Sequence, residues 1–202
     1  VPRAGLDRTA VGALALAVVD DGGPTGYADL TLAAVAARAG VAVPSLYKHV
    51  GGLGELRLDV AAACVADFAT TLEAARDAAT GRGRDPNRDP ERELRAMARA
   101  TRAYALTHPG RYQAVQGAGW PLDPAADAVR AAAGRAVELL TEATAAAGVP
   151  PDRRIDAVRA FRAGVHGFVT LELGGGFGMP QDVDASFAYL VDLLVAGLVP
   201  PR

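Results

Sequence analysis

The sequence predicts an all-α protein with a small three-helix unit at the N-terminus and a larger helical body after it. Three observations carry this. Apolar residues recur at helical spacing in every long segment. Glycine and proline clusters such as Asp21-Gly22-Gly23-Pro24 and Gly174-Gly175-Gly176 punctuate those segments. Residues 31–56 combine two short helical patterns with a glycine between them, a helix-turn-helix arrangement. With 202 residues, half of them hydrophobic, the chain has ample material for a core.

In chain order, Arg8 to Asp20 carries Val11, Leu14, Ala15, Val18 and Val19 on one side and forms a bracing first helix, ended by the glycine-proline cluster. Thr31 caps the next, whose inner stripe is Leu32, Val35, Ala36 and Ala39. Gly40 permits a sharp turn, and Val41 drops an apolar side chain into the corner. Pro44 suits the first turn of the following helix, where no N–H partner is lost, and Leu46 and Val50 form its inner stripe. Val43, Ser45, Tyr47, Lys48 and His49 are left on its outer faces. A long helix then runs from about Leu53 to Ala79, with Leu56, Val60, Cys64, Phe68 and Leu72 inward.

The segment 81–90 is polar and rich in glycine, proline and arginine, so it reads as an exposed loop. Glu91 to His108 is the next helix, with Leu94, Met97, Ala98, Thr101, Tyr104 and Ala105 on one face, and Pro109 stops it. Arg111 to Gly117 is a short helix, and Gly119 to Pro124 is a loop holding the single tryptophan, Trp120. Asp123-Pro124 opens a helix to Ala147 with Val129, Ala133, Val137, Leu140 and Thr144 along one stripe. The last two helices are expected at Pro151 to Leu173 and Asp182 to Leu198.

The outer face of the second short helix offers a hydroxyl, a phenol, an ammonium and an imidazole, all able to donate to phosphate oxygens or base edges. In a helix-turn-helix this second helix enters the major groove while the first crosses the backbone. Lys48 is the only lysine in the chain.

At these residues the chain resembles the TetR family of bacterial transcriptional regulators, through Val35-Ala36, Ala39-Gly40-Val41 and Leu46-Tyr47-Lys48-His49. The resemblance implies that Thr31, Tyr47 and His49 touch phosphates and that Val43, Pro44, Ser45 and Lys48 face bases. It departs at two places: Leu53, within Gly51-Gly52-Leu53-Gly54, stands where the family commonly has a phosphate-gripping lysine, and Val50 stands where it usually has an aromatic residue. The run Phe161 to Leu173 is similar to the C-terminal domain type called WHG, with Val165 at the tryptophan position. The implied organisation is a DNA-binding domain over residues 1–54 and a helical effector-binding and dimerisation domain over 55–202. Double-stranded operator DNA and a small apolar effector are the implied partners of a homodimer, with release from the operator on effector binding.

The last two helices are expected to pair with their copies through Val158, Val165, Phe187, Leu190, Val191 and Leu194. Tyr104, His108, Tyr112, Trp120, Phe161, His166, Glu172 and Met179 are the bulky or polar-tipped residues available to line an effector cavity.

A net charge of −2 does not advertise a nucleic-acid binder. In the first sixty residues Arg3, Arg8, Arg38, Lys48 and Arg57 face Asp7, Asp20, Asp21, Asp29, Glu55 and Asp59, so any attraction to DNA depends on where the charges sit. The single cysteine, Cys64, excludes an internal disulfide and a zinc cluster. No cofactor or metal is expected. That lone cysteine fits a reducing cytoplasm, and no apolar run is long enough to span a bilayer, so a soluble, cytoplasmic protein is expected. The chain opens on Val1, which leaves room for a preceding arm of the kind that adds DNA contacts elsewhere.

Catalysis fails on inventory. His49, His108 and His166 are scattered over separate helices, and Ser45 and Ser186 lie outside any nucleophile-elbow motif. Two other readings stay open: a helical small-molecule carrier that no longer reads DNA, favoured by the acidic balance and Leu53, and an enzyme using His166 and Glu172 as acid and base.

Overall fold

The computed structural model describes residues 6–80, 89–117 and 120–198, and among these the chain is helical with no strand. Its helices are α1 (Arg8–Asp21), α2 (Leu32–Ala39), α3 (Val43–Leu46), α4 (Leu53–Thr80), α5 (Pro90–Thr107), α6 (Pro109–Val115), α7 (Asp127–Ala146), α8 (Arg154–Leu173) and α9 (Val183–Leu198). The expected loop at 81–90 falls mostly outside the described residues.

The helices group into two compact units. The first holds Val1–Asp67 with Thr107–Ala133, and the second Phe68–Leu106 with Gly134–Arg202. In the first, Val11, Ala15 and Val19 of α1, Val35 of α2, Leu46 of α3 and Leu56 of α4 are fully buried or nearly so. Helix α6 joins this core through Tyr112, and its Gly110 lies so close to α1 that a Cβ there would sit 2.6 Å from the Val19 carbonyl oxygen. Arg111 forks onto Asp20 at 2.7 and 2.6 Å and reaches Asp67 at 3.3 Å, anchoring α6 to α1 and α4. In the second unit, the core comprises Phe68 and Leu72 of α4, Leu94 and Met97 of α5, Leu139 and Ala143 of α7, and buried residues of α8 and α9.

Where the elements differ from expectation, local hydrogen bonding explains the shift. Helix α7 begins at Asp127, not at Asp123-Pro124, because the Asp123 carboxylate accepts the Ala125 N–H and holds 123–126 in a turn. Its inner face also drifts. Val129 and Thr144 are buried, but Val137 is exposed and Leu139 and Ala143 point inward instead. Successive steps of four residues rotate around a helix by ~40° each, so a fourfold stripe leaves the core after two of them. Helix α8 follows a short 3₁₀ turn at Pro151–Arg153, and Asp182 caps α9 by accepting the Asp184 N–H at 2.8 Å.

Candidate nucleic-acid interface

Thr31 has extended backbone and its Oγ1 accepts the Ala34 N–H at 3.1 Å, starting α2. Gly40 ends it at φ 66°, and the Val41 N–H returns to the Ala36 carbonyl at 3.0 Å, closing a Schellman-type turn. The turn is tight but lies at the surface: Gly40 is exposed and Val41 half-buried, so the corner is filled less completely than the sequence suggests. Helix α3 is one turn long, and Tyr47 is its C-cap, where the sequence pattern extends the helix to Val50. Its end tightens, with the His49 and Val50 N–H groups both reaching the Leu46 carbonyl, at 2.8 and 3.0 Å. Leu46 and Val50 are the buried anchors of the segment.

Around these anchors the chain displays its polar face. Pro44, Tyr47 and Lys48 are exposed, Tyr47 to 56 %, and Thr31, the N-cap of α2, is exposed as well. Val43, Ser45 and His49 are half-exposed. Buried anchors alternating with this display leave a ridge of hydroxyl groups, an imidazole and one ammonium.

The arginines among the described residues of the unit are engaged. Arg8 forks onto Asp59 at 3.0 and 2.8 Å and pairs with Glu55, Arg38 pairs with Asp21, and Arg111 holds Asp20 and Asp67. Arg57 donates to the Ala28 and Leu30 carbonyls, and Arg130 to the Asp123 carbonyl and Asp127. Among the described residues of this unit, Lys48 is the cation with neither ion pair nor hydrogen bond to the chain. The acids that weigh against DNA binding in the sequence are therefore largely neutralised, and so are the arginines. The Gly51 N–H donates to Glu55 at 2.5 Å and, with Arg8, holds that carboxyl below the usual range.

The residues expected to line an effector site divide between the units. In the first, His108 precedes α6 as its N-cap, Tyr112 is buried, and half-buried Trp120 donates its Nε1–H to the Ala114 carbonyl at 3.3 Å. In the second, Tyr104 is buried edge-on against Phe68 with ring centroids 5.3 Å apart, and Phe161 is buried. His166 is half-buried beside Thr170, and burial together with Arg162 lowers its pKa. Glu172 grips Arg102 at 2.7 and 2.6 Å, while Met179 lies 79 % exposed on the connector between α8 and α9.

Arg102, which also pairs with Asp184 at 2.6 Å and lies over the Phe187 ring, was not visible as a structural hub from sequence spacing. A half-open cavity of about 410 Å³ in the second unit is lined by Thr70, Glu73, Ala74, Asp77 and Ala78 of α4, none of them singled out by the sequence. Their only signal is a repeat of small residues every fourth position.

The expected pairing residues are mostly consumed by the subunit's own core. Val158, Val165, Phe187 and Val191 are buried within the second unit, and Leu190 and Leu194 are half-buried. A Cβ at Gly164 would meet the Leu194 side chain at 2.8 Å, which shows α8 and α9 packing on each other through this stripe. Ile155 and Leu171 of α8 and Tyr189 and Leu193 of α9 are the large apolar side chains left exposed on these helices.

Residues 94–194 match the family described as tetracyclin repressor-like, C-terminal domain. The chain is 35% identical over 177 residues to the HTH-type transcriptional regulator Rv0681 of Mycobacterium tuberculosis, covering 86% of this chain and 74% of that protein. It is 26% identical to the HTH-type transcriptional regulator YobS of Bacillus subtilis, over 98% of this chain and 95% of the other. A TetR variant from Acinetobacter baumannii AYE, solved in complex with minocycline, superposes with a TM-score of 0.67 at 25% identity, covering 98% of this chain and 100% of that one.

Proposed function

The chain belongs to the TetR family of helix-turn-helix transcriptional regulators, and from that premise we propose that it is a homodimeric repressor, released from a pseudo-palindromic operator by a small, largely apolar effector. Each subunit presents Val43, Pro44, Ser45, Tyr47, Lys48 and His49 to a major groove, with Thr31 on the phosphate backbone. The observation that carries the reading is the outward display of Pro44, Tyr47 and Lys48 over the buried anchors Leu46 and Val50. Two-fold symmetry then requires the reading helices to sit about 34–36 Å apart, or a multiple of that repeat, in the DNA-bound state.

The core of the DNA-binding part is residues 1–54, braced by the other elements of its compact unit, and residues 55–202 supply effector binding and pairing. Tyr104, Phe161 and His166 in the second unit are the side chains whose burial and polarity suit an apolar effector with one polar group. Pairing uses the outward faces of α8 and α9, because Ile155, Leu171, Tyr189 and Leu193 leave apolar area uncovered in the single chain. An effector acts by preferring a subunit separation that the operator does not accept.

Selection of bound sequences from genomic DNA, followed by binding assays on Tyr47→Ala and Lys48→Ala, tests this reading. A selected palindromic site whose affinity falls in both variants supports it. Unchanged affinity in both contradicts it.

A further inference from the structure

Two side chains of one helix tie down the helix-turn-helix immediately before and immediately after it. Before α2, Arg57 of α4 reaches the loop that leads into Thr31: its Nη2 donates to the Ala28 carbonyl at 2.8 Å and to the Leu30 carbonyl at 3.2 Å. Tyr27 closes the same clasp in reverse, its hydroxyl donating to the Arg57 carbonyl at 3.1 Å. Gln113 of α6 accepts the Ala28 N–H at 3.0 Å, so this short loop is held from two helices. After α3, Glu55 accepts the Gly51 N–H at 2.5 Å. Glu55 and Arg57 stand two residues apart on the first turns of α4.

This bracket matters because α3 spans only Val43–Leu46. A single turn has too few intrahelical hydrogen bonds to set its own direction. Leu46 and Val50 seat it on the core, and its direction is set further by the points where the flanking chain is fixed, Leu30 and Gly51. Leu30 is fully buried, so a shift of its carbonyl would carry Thr31 and the start of α2 with it. Both donors are the two N–H bonds of one planar nitrogen, Nη2, directed at carbonyls two residues apart. A lysine ammonium falls short of the position of Nη2 and directs its donors tetrahedrally, and a glutamine is too short to reach both carbonyls.

We propose that Arg57, with Glu55 as its counterpart at the far end, is the positioning residue for operator recognition: it sets the direction of the reading helix, so that sequence selectivity depends on it while general attraction to DNA does not. The inference rests on the operator-binding reading above and assigns the device that gives that reading its geometry. Base readout tolerates displacements of only about 0.5 Å, whereas phosphate attraction is far less directional.

The test compares full-length wild type, Arg57→Gln, Arg57→Lys and Tyr27→Phe for binding to two probes, a duplex recovered by selection from a random-sequence pool and a scrambled duplex of the same composition. In Arg57→Gln, affinity for the selected duplex falls about tenfold, the size of one lost base contact, while affinity for the scrambled duplex stays within about twofold. Arg57→Lys falls between, and Tyr27→Phe shows a smaller loss of the same selectivity with its melting temperature close to wild type. A selectivity ratio equal to wild type in all three variants overturns the proposal, as does a common loss on both duplexes in proportion to the unfolded fraction. If Arg57→Gln does not fold, unchanged ratios in Arg57→Lys and Tyr27→Phe overturn it equally. A wild-type protein that shows no preference between the duplexes overturns the operator-binding reading itself, a result distinct from selective binding that survives every variant.

Discussion

Lys48 is exposed and unpaired on the ridge, while the arginines around it are held by carboxylates and carbonyls within the same unit. Its charge is therefore available to DNA where theirs is committed to the scaffold. Lys48→Ala and Tyr47→Ala are each expected to weaken operator binding by about 1–3 kcal/mol, with stability changed by less than ~0.5 kcal/mol because both side chains are exposed. Fluorescence anisotropy and thermal melts together check this, and a melting temperature that falls with affinity would assign the residues to packing instead. Cys64 illustrates the opposite situation. Burial pushes its thiol up to about 12, chiefly by desolvation, so the native protein is expected to resist an aromatic disulfide reagent at about pH 8 and to react once unfolded. The unfolded chain ionises near the ordinary thiol value of 9.0, so the stability tied to this group is present below that pH and declines as pH rises toward 12. Rapid modification of the native protein would contradict the burial argument. Lys48 was legible in the sequence because it is the only lysine and stands at a diagnostic spacing, whereas Arg57 and Arg102 were not, since their partners are carbonyls and carboxylates distant in sequence.

At the level of elements, two glycines set positions for different reasons. Gly40 adopts φ 66° with open space around its α-carbon, so Gly40→Ala carries only the left-handed backbone cost of about 1 kcal/mol. Gly110 has ordinary backbone, but a Cβ would meet the Val19 and Gly23 carbonyl oxygens at 2.6 and 2.7 Å. Backbone oxygens cannot swing aside as a side chain can, so Gly110→Ala is expected to destabilise by up to about 3 kcal/mol through displacement of α6 from α1. Denaturant melts of the two variants test the difference, and a smaller loss for Gly110→Ala than for Gly40→Ala would argue against close α1–α6 packing. The sequence announced Gly40 by its place between two apolar stripes. It did not announce Gly110, because nothing local says that residues 107–133 share a compact unit with α1–α3.

For the whole molecule, pairing and electrostatics give two further expectations. Leu193→Asp combined with Tyr189→Asp places charge on the exposed apolar faces of α9 without touching the buried stripe. Sedimentation should then show monomer where the wild type shows dimer, with operator binding lost because a single subunit reaches one half-site. A dimer that survives both substitutions would move the interface elsewhere. With Lys48 as the one uncommitted cation among the described residues of the first unit, operator affinity should fall with salt on a shallow slope, about −2 to −4 for the dimer. A slope near −10 would mean that many more cations reach phosphate than the ion-pair network allows.

By itself the sequence determined the helical architecture, the helix-turn-helix with its capping threonine and left-handed glycine, and the outward display of Pro44, Tyr47 and Lys48. These depend on local periodicity and turn chemistry, which are written in neighbouring residues. Only the tertiary structure decided which side of α8 and α9 faces the chain's own core, which arginines are consumed by ion pairs, and that α4 brackets the reading segment at both ends. An apolar stripe is the same in sequence whether its partner is a helix of the same chain or of a second copy, and a charge has no stated destination until distant segments are brought together. The stripe Val158, Val165, Phe187 and Val191 therefore read as a pairing face until folding buried it within the subunit.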